Sequence, residues 1–363
     1  MLYWLSEFRH VFGALNLFRY ITVRAVGAGV TAFLLCVVLT PLLVRWLAQR
    51  GIGQQVRQDA AAGGLPQFHQ QKAGTPTMGG VLMLGAIGIA VLLWGNLTNI
   101  LLLLAVAAMM GLGALGFADD YLKLRGRGAR GLSGSLKLCG QTLIGLAIGW
   151  SVVMLPPHNT LLEVPFMKEW SVPLGWWYVP FATLVIVGAS NAVNLTDGLD
   201  GLASGCLSMA GIAYGVLAYV TSHVVLTRYL NVYYTPLAGE LSVLCAALVG
   251  AALGFLWFNT YPANLFMGDT GALGLGGALG VVAVYTKKEL LLMLVGGIFV
   301  VEALSVILQV ASYRYRRHTR VFLMAPIHHH FQMKGWAEPK VTVRFWIVGA
   351  LLALLSVASL KVR

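Results

Sequence analysis

Phe181-Ala-Thr-Leu-Val-Ile-Val-Gly-Ala-Ser190 runs without a break into Asn191-Ala-Val-Asn194-Leu-Thr-Asp197-Gly-Leu-Asp200-Gly201. A segment apolar enough to enter a bilayer thus ends in two carboxylates and two carboxamides, groups that are costly at a membrane edge unless they hold something. The four recur every third residue, so on a straight helix they would spiral by about 60° per step and finish on opposite faces. Gly198 and Gly201 disfavour continued helix. The stretch therefore predicts a helix that ends near Asn194 and opens into a loop whose side chains and amides converge on a ligand. A glycine-stopped helix followed by a solvated turn is the plainer alternative.

The surrounding composition decides the class of fold. The chain has 363 residues, of which 58% are hydrophobic and 10% charged, with a mean hydropathy of +0.78, which excludes a soluble domain of this size. Apolar runs near the ~20 residues that cross a bilayer lie at roughly 22–47, 76–94, 98–117, 134–154, 174–191, 201–222, 237–257, 269–286, 289–311 and 343–360. Barrel-type alternation is absent. The expectation is an all-α, polytopic integral membrane helical bundle of about ten transmembrane helices, forming a single transmembrane catalytic domain over 1–363. Met1–Arg19 carries Arg9, His10 and Arg19 in place of the apolar core of a cleavable signal, so the first apolar run is expected to remain as a span. Cys36, Cys139, Cys206 and Cys245 all lie in apolar runs and read as small core hydrophobes.

The net charge of +12 becomes informative when divided by loop. With alternating spans, the loops after the first, third, fifth, seventh and ninth runs hold most of the 25 lysines and arginines. Basic loops stay in the cytoplasm, which places both termini on the outer side. Two loops of the basic side carry no Lys or Arg: the Asn191–Gly201 stretch and the loop leading to Asp269. Carboxylates there need another counter-ion, such as a metal.

Further polar motifs fall on the same side. Gly74-Thr75-Pro76-Thr77-Met78-Gly79-Gly80 offers an N-cap at Thr75 and a first helical residue at Pro76; with Lys72 just ahead, that helix end could hold an anion, or Lys72 simply snorkels. Asp119-Asp120 is expected where a helix stops, because adjacent carboxylates diverge by about 100° on a helix and repel unless a cation or proton lies between them. The alternative is one Asp paired with Lys123 or Arg125 and the other in water. Asp269 reads as an N-cap, and its loop adds amides at Asn259 and Asn264 and the ring of Phe266, parts that suit a planar heterocycle. Glu302, Ser305 and Gln309 form one polar stripe. The longest basic loop ends in Ala325-Pro326-Ile327-His328-His329-His330, where phosphate contact or proton transfer fits better than zinc, since no thiolates accompany the histidines. Carboxylates favour a hard cation shared with substrate phosphates, so the residues alone reach phosphoryl transfer at the cytoplasmic surface with a lipidic reactant.

Taken together, Thr75–Gly80, Asp119-Asp120-Tyr121, Asn191–Gly201, Gly268-Asp269 and Ala325–His330 resemble the signature segments of the phospho-N-acetylmuramoyl-pentapeptide transferases, within the polyprenyl-phosphate N-acetylhexosamine-1-phosphate transferase superfamily. The resemblance spans the chain. It implies transfer of phospho-MurNAc-pentapeptide from UDP-MurNAc-pentapeptide to undecaprenyl phosphate, giving lipid I and UMP, with Mg²⁺, in the bacterial cytoplasmic (inner) membrane and with the active site on the cytoplasmic face. It implies Asp269 as a metal ligand, with Asp197 shaping the metal and nucleotide pocket beside Asp200, Asn194 and Asn259. Asp119 and Asp120 fall at the reacting phosphates, Asp119 either deprotonating the lipid phosphate or attacking as a nucleophile. Lys72, Leu195, Gly198, Phe266 and Gln309 are implied at uridine or diphosphate, with Thr75 and His330 as further substrate contacts and His328 and His329 near the phosphates or sugar. Membrane lipids are expected around the chain, a homodimer is allowed, and no nucleic acid is expected. One position departs: Gln332 stands where the family pattern usually has Glu, so a role needing charge there does not carry over. A UDP-GlcNAc-directed relative and a transporter of anionic metabolites are the rival readings; a transporter should hold its charges near the midplane between repeated halves, which this sequence does not offer.

Overall fold

The structure, a computed structural model, describes residues 1–49, 75–124, 131–156, 158–167, 170–316 and 319–361. Each of the ten apolar runs forms a helix. After two short 3₁₀ segments, Leu2–His10 and Gly13–Arg19, the chain continues as α1 (Ile21–Gln49), α2 (Gly79–Trp94), α3 (Ile100–Leu124), α4 (Gly134–Met154), α5 (Tyr178–Thr196), α6 (Leu202–Thr221), the short α7 (Val224–Leu230), α8 (Leu241–Asn259) and α9 (Gly268–Tyr285). The 289–311 run is broken at Gly296 into α10 (Leu292–Val295) and α11 (Gly297–Tyr315), and the short α12 (Ile327–Met333) precedes α13 (Glu338–Ala358). Eight of the helical stretches are long and apolar enough to cross a membrane, and α2 is a shorter apolar helix. The strands among the described residues are β1 (Leu161–Glu163) and β2 (Ser171–Pro173), an antiparallel hairpin between α4 and α5.

α9 is the axis of the bundle. All its residues from Thr270 to Tyr285 are buried, and it packs against α2, α3, α5 and α6. Its sequence, Gly-Ala-Leu-Gly-Leu-Gly-Gly-Ala-Leu-Gly, supplies the small residues that let helix backbones close on one another in lipid. At Gly276 an added Cβ would lie 2.8 Å from the Ala189 carbonyl oxygen of α5. The same device joins α1 to α8, where a Cβ at Gly250 would run into the backbone of Gly29. α5 is tied to α4 by the Asn191 amide, which donates to Gln141 Oε1 at 2.8 Å.

Two ends of the bundle differ in chemistry. At one end, α3, α5 and α8 finish and α4, α6, α9 and α13 begin, which gathers the acidic motifs. At the other, Arg24 of α1 makes a bidentate pair with Glu240, both contacts at 2.6 Å, where both side chains are almost fully buried. Removing one partner of a buried pair leaves an uncompensated charge and costs far more than the pair contributes. We expect Glu240→Gln to lower stability by about 3 kcal/mol, read as a lower unfolding temperature in detergent, while Arg24→Met combined with Glu240→Leu recovers most of the loss.

Candidate active site

Asp120 provides the foundation. Contrary to the expected helix stop, α3 continues to Leu124, so Asp119 and Asp120 both lie within it. The expected N-cap role of Asp269 also fails: α9 begins at Gly268, and Asp269 sits in its first turn. The cap comes from α3 instead. Asp120 Oδ1 accepts the Asp269 N–H at 3.2 Å, and Oδ2 accepts the Thr270 N–H at 2.9 Å and the Thr270 hydroxyl at 2.7 Å. Orphan amides and the positive end of a helix are thereby satisfied by a nearly buried carboxylate from a neighbouring span.

With Asp120 so engaged, Asp119 points a different way, as the 100° step on a helix requires, yet the two ammonium groups of Lys123 and Lys137 bring it into one cluster with Asp269. Lys123 Nζ lies 2.5 Å from Asp119 Oδ2 and 3.0 Å from Asp269 Oδ2; Lys137 Nζ lies 3.1 and 2.7 Å from the same two oxygens. Asp119 Oδ1 accepts the Leu132 N–H at 2.7 Å, and Asp269 Oδ1 accepts the Asn194 amide at 2.8 Å. One oxygen from each of Asp119, Asp120 and Asp269 falls within 4.8 Å of the others. Three hard oxygen donors at that spacing fit a hard divalent cation that keeps water or phosphate in its shell. Asp197 is not part of this group; it is half-buried past the end of α5, its N–H bonded to the Val193 carbonyl.

Several residues expected at the ligand make internal bonds in the structure. Thr75 does not cap a helix: α2 starts at Gly79, because Phe266 N–H donates to the Pro76 carbonyl while Gly79 and Gly80 donate to the Phe266 and Met267 carbonyls. The amides thought free to hold an anion are therefore spent on the backbone before α9. Lys72 lies outside the described residues. Asp200 Oδ2 accepts the Ala263 N–H at 3.0 Å, and its own N–H donates to Glu338. Asn259 accepts from the Gly201 N–H and Ser204 hydroxyl and donates to the Leu265 carbonyl. Gln309 accepts from the Val321 and Phe322 amides and so holds the loop before the histidines. Leu195 and Phe266 are half-buried and Gly198 is exposed.

The histidines divide by environment. His328 is fully buried; its Nδ1 lies 3.1 Å from Glu302 Oε2, and its Nε2 lies so close to Gly198 that a Cβ there would overlap it. His329 Nδ1 meets Gln332 Oε1 at 2.8 Å, a contact that a neutral amide oxygen makes as well as a carboxylate. His330 Nδ1 accepts the Leu323 N–H at 3.2 Å. Lys137 and Thr270 are the residues that sequence reasoning passed over. Each lies in the first turn of a helix, where a lysine reads as an interfacial charge and a threonine beside Asp269 draws no notice.

Comparison of the chain's sequence with known proteins gives its family. A family model described as Glycosyl transferase family 4 covers residues 100–287, and a signature of the phospho-N-acetylmuramoyl-pentapeptide-transferases covers residues 72–84. A phospho-N-acetylmuramoyl-pentapeptide-transferase from Thermodesulfovibrio yellowstonii is 49% identical over 365 residues, covering 100% of this chain and 99% of the relative. One from Pelobacter propionicus is 52% identical over 348 residues, 96% of each. The chain belongs to the phospho-N-acetylmuramoyl-pentapeptide-transferase family.

Because Asp120 is nearly buried and accepts three hydrogen bonds from the start of α9, losing the Thr270 hydroxyl should be felt. We expect Thr270→Val to cost about 2 kcal/mol, in the range for a hydrogen bond to a buried charge, measured by thermal unfolding in detergent, and Thr270→Ser to restore most of it.

Proposed function

We propose that the chain transfers phospho-N-acetylmuramoyl-pentapeptide from UDP-MurNAc-pentapeptide to undecaprenyl phosphate, releasing UMP and forming lipid I, at the cytoplasmic face of the bacterial inner membrane. What carries this reading is the meeting of Asp119 and Asp269 across two lysines at one end of the bundle, in a chain half identical along its whole length to enzymes of that name.

In the transfer, an oxygen of the lipid monophosphate attacks the phosphorus that carries the sugar. The bond from that phosphorus to the uridylyl oxygen breaks, and UMP departs with the electron pair. Asp119 and Asp269 would hold Mg²⁺, which when bound polarises the diphosphate and neutralises the leaving nucleotide. Asp119 takes the proton of the lipid phosphate where that phosphate arrives as its monoanion. Lys123 and Lys137 carry positive charge at the two carboxylates and are long enough to follow charge onto the transferred phosphoryl oxygens. Asn194 fixes the carboxylate plane of Asp269 through its 2.8 Å hydrogen bond, and Asp120 fixes its backbone. Asp200, Asn259 and Gln309 act by shaping the loops around the pocket. His328, held at Nδ1 by Glu302, presents Nε2 toward Gly198, beside the turn where the nucleotide is proposed to lie.

The deciding experiment incubates purified protein in detergent with Mg²⁺, undecaprenyl phosphate and each UDP-sugar, and measures UMP. UMP is expected with UDP-MurNAc-pentapeptide; release with UDP-GlcNAc alone would overturn the substrate, and transport without UMP would overturn the reaction. Chelation should abolish UMP release and added Mg²⁺ restore it. Asp269→Asn should reduce turnover by at least 10²-fold with unfolding temperature little changed. Near-normal turnover of that variant at saturating Mg²⁺ removes Asp269 from the metal site.

A further inference from the structure

Trp336, between α12 and α13, organises a second charged place. Phe331 stacks on its indole with centroids 4.7 Å apart and planes at 25°. The guanidinium carbon of Arg344 lies 4.2 Å from the centroid of the same ring and Lys340 Nζ 5.6 Å from it. These two cations are one turn apart on α13, a spacing at which like charges destabilise a helix, and both are exposed. Among the described residues neither forms an ion pair with a carboxylate. Glu338, the acidic residue of the same helix end, is buried and accepts the Asp200 N–H. Two positive charges are thus gathered on one aromatic ring with no carboxylate partner among the described residues, and an anion with several oxygens relieves the repulsion by bridging them.

The rest of α13 says what that anion is attached to. Val341, Thr342, Phe345, Gly349, Ala353 and Ser356 are buried against the bundle. On the opposite face, Lys340, Arg344, Ile347, Leu351 and Leu354 follow one stripe at i, i+4, i+7, i+11 and i+14, and Ile347, Leu351 and Leu354 are 55%, 55% and 67% exposed. From Arg344 to Leu354 the axial rise is about 15 Å, half of a ~30 Å hydrocarbon core. An acyl chain lying on this stripe and ending at the bilayer midplane sets its phosphate level with Arg344 and Lys340.

We infer that this face of α13 binds a phospholipid with a net negative headgroup from the leaflet on the catalytic side, its phosphate across Lys340 and Arg344 and an acyl chain along Ile347, Leu351 and Leu354. The lipid is distinct from the acceptor of the transfer: α13 packs on α6, α10, α11 and α12, whereas the carboxylate and lysine cluster is built from α3, α4, α5 and α9. A second copy of this face is disfavoured by charge. Copies inserted in one orientation meet about an axis along the membrane normal, which would bring a second Lys340 and Arg344 to the same depth.

The test uses the full-length protein in neutral detergent, with phosphatidylglycerol and phosphatidylcholine of matched chains, retained lipid being counted by native mass spectrometry. Phosphatidylglycerol should be held in preference. Lys340→Gln with Arg344→Gln should weaken its binding roughly thirtyfold and leave phosphatidylcholine unaffected. Arg344→Lys alone, which keeps both charges, should retain most of the binding. Unfolding temperature and UMP release in detergent, both expected to be unchanged in the double variant, confirm that the fold is intact. Equal retention of the two lipids, or undiminished phosphatidylglycerol on the double variant, overturns the inference. So does displacement of phosphatidylglycerol by equimolar undecaprenyl phosphate, which would make the face part of the acceptor's path, and so does a stable dimer that excludes phosphatidylglycerol.

Discussion

The carboxylate of Asp120 at the N-terminus of α9 is the constraint on which the site depends. A helix buried along nearly its whole length can expose its first amides to no water, so a neighbouring helix must satisfy them. α3 does so with three hydrogen bonds from one side chain. Gly116, one turn earlier on α3, allows the two backbones to close: a Cβ there would lie 2.3 Å from the Asp269 carbonyl oxygen. The angular step from Asp120 back to Asp119 then delivers the second carboxylate to the flank of Asp269 without any loop to adjust it. The pair proposed to act in the transfer is set by the rigid crossing of two helices, which is the kind of support a phosphoryl-transfer site needs, since positioning is most of the catalysis.

Around that crossing, the loops are bonded to one another. Asp200 binds the backbone of Ala263, Asn259 binds the turn after Asp200, and Glu338 binds Asp200 from α13. These bonds link the ends of α5, α8 and α13 into a continuous rim. Gln309 does the same for the segment that leads to His328. The rim of the proposed site is therefore held by polar contacts among the loops themselves.

How much of this could be read from the sequence follows from what periodicity encodes. Hydrophobic runs give helices, and their ends give loops, so the bundle and the shared face of Asp119, Asn194, Asp269 and His328 were legible. The destination of each polar side chain was not. A carboxylate at a helix end looks the same whether its partner is a metal, a phosphate or an amide from another span, and Asp200 and Asn259 proved to have amide partners. Asp119 and Asp120 were expected at a helix stop because a helix separates neighbouring side chains; the separation is real, and the fold uses it by giving the two residues different tasks. Thr75 and Pro76 carry strong capping statistics, but a backbone pairing with Phe266 and Met267 overrides them. Lys137 could be found only in three dimensions, because its partners lie on α3 and α9, 18 and 132 positions away.

If the site holds an ion as proposed, the two ammonium groups on Asp119 and Asp269 also govern how it is taken up. Counted as ionised, three carboxylates and two lysines leave the cluster one charge short of neutral, and the lysines sit on the very oxygens a dication would use. Loading would then be an exchange and not an addition: an ammonium would have to let go as the ion arrives. The freed lysines need new acceptors, and the substrate's own phosphoryl oxygens are the nearest class that could supply them. Ion and substrate would in that case help each other bind, through two flexible side chains that change allegiance.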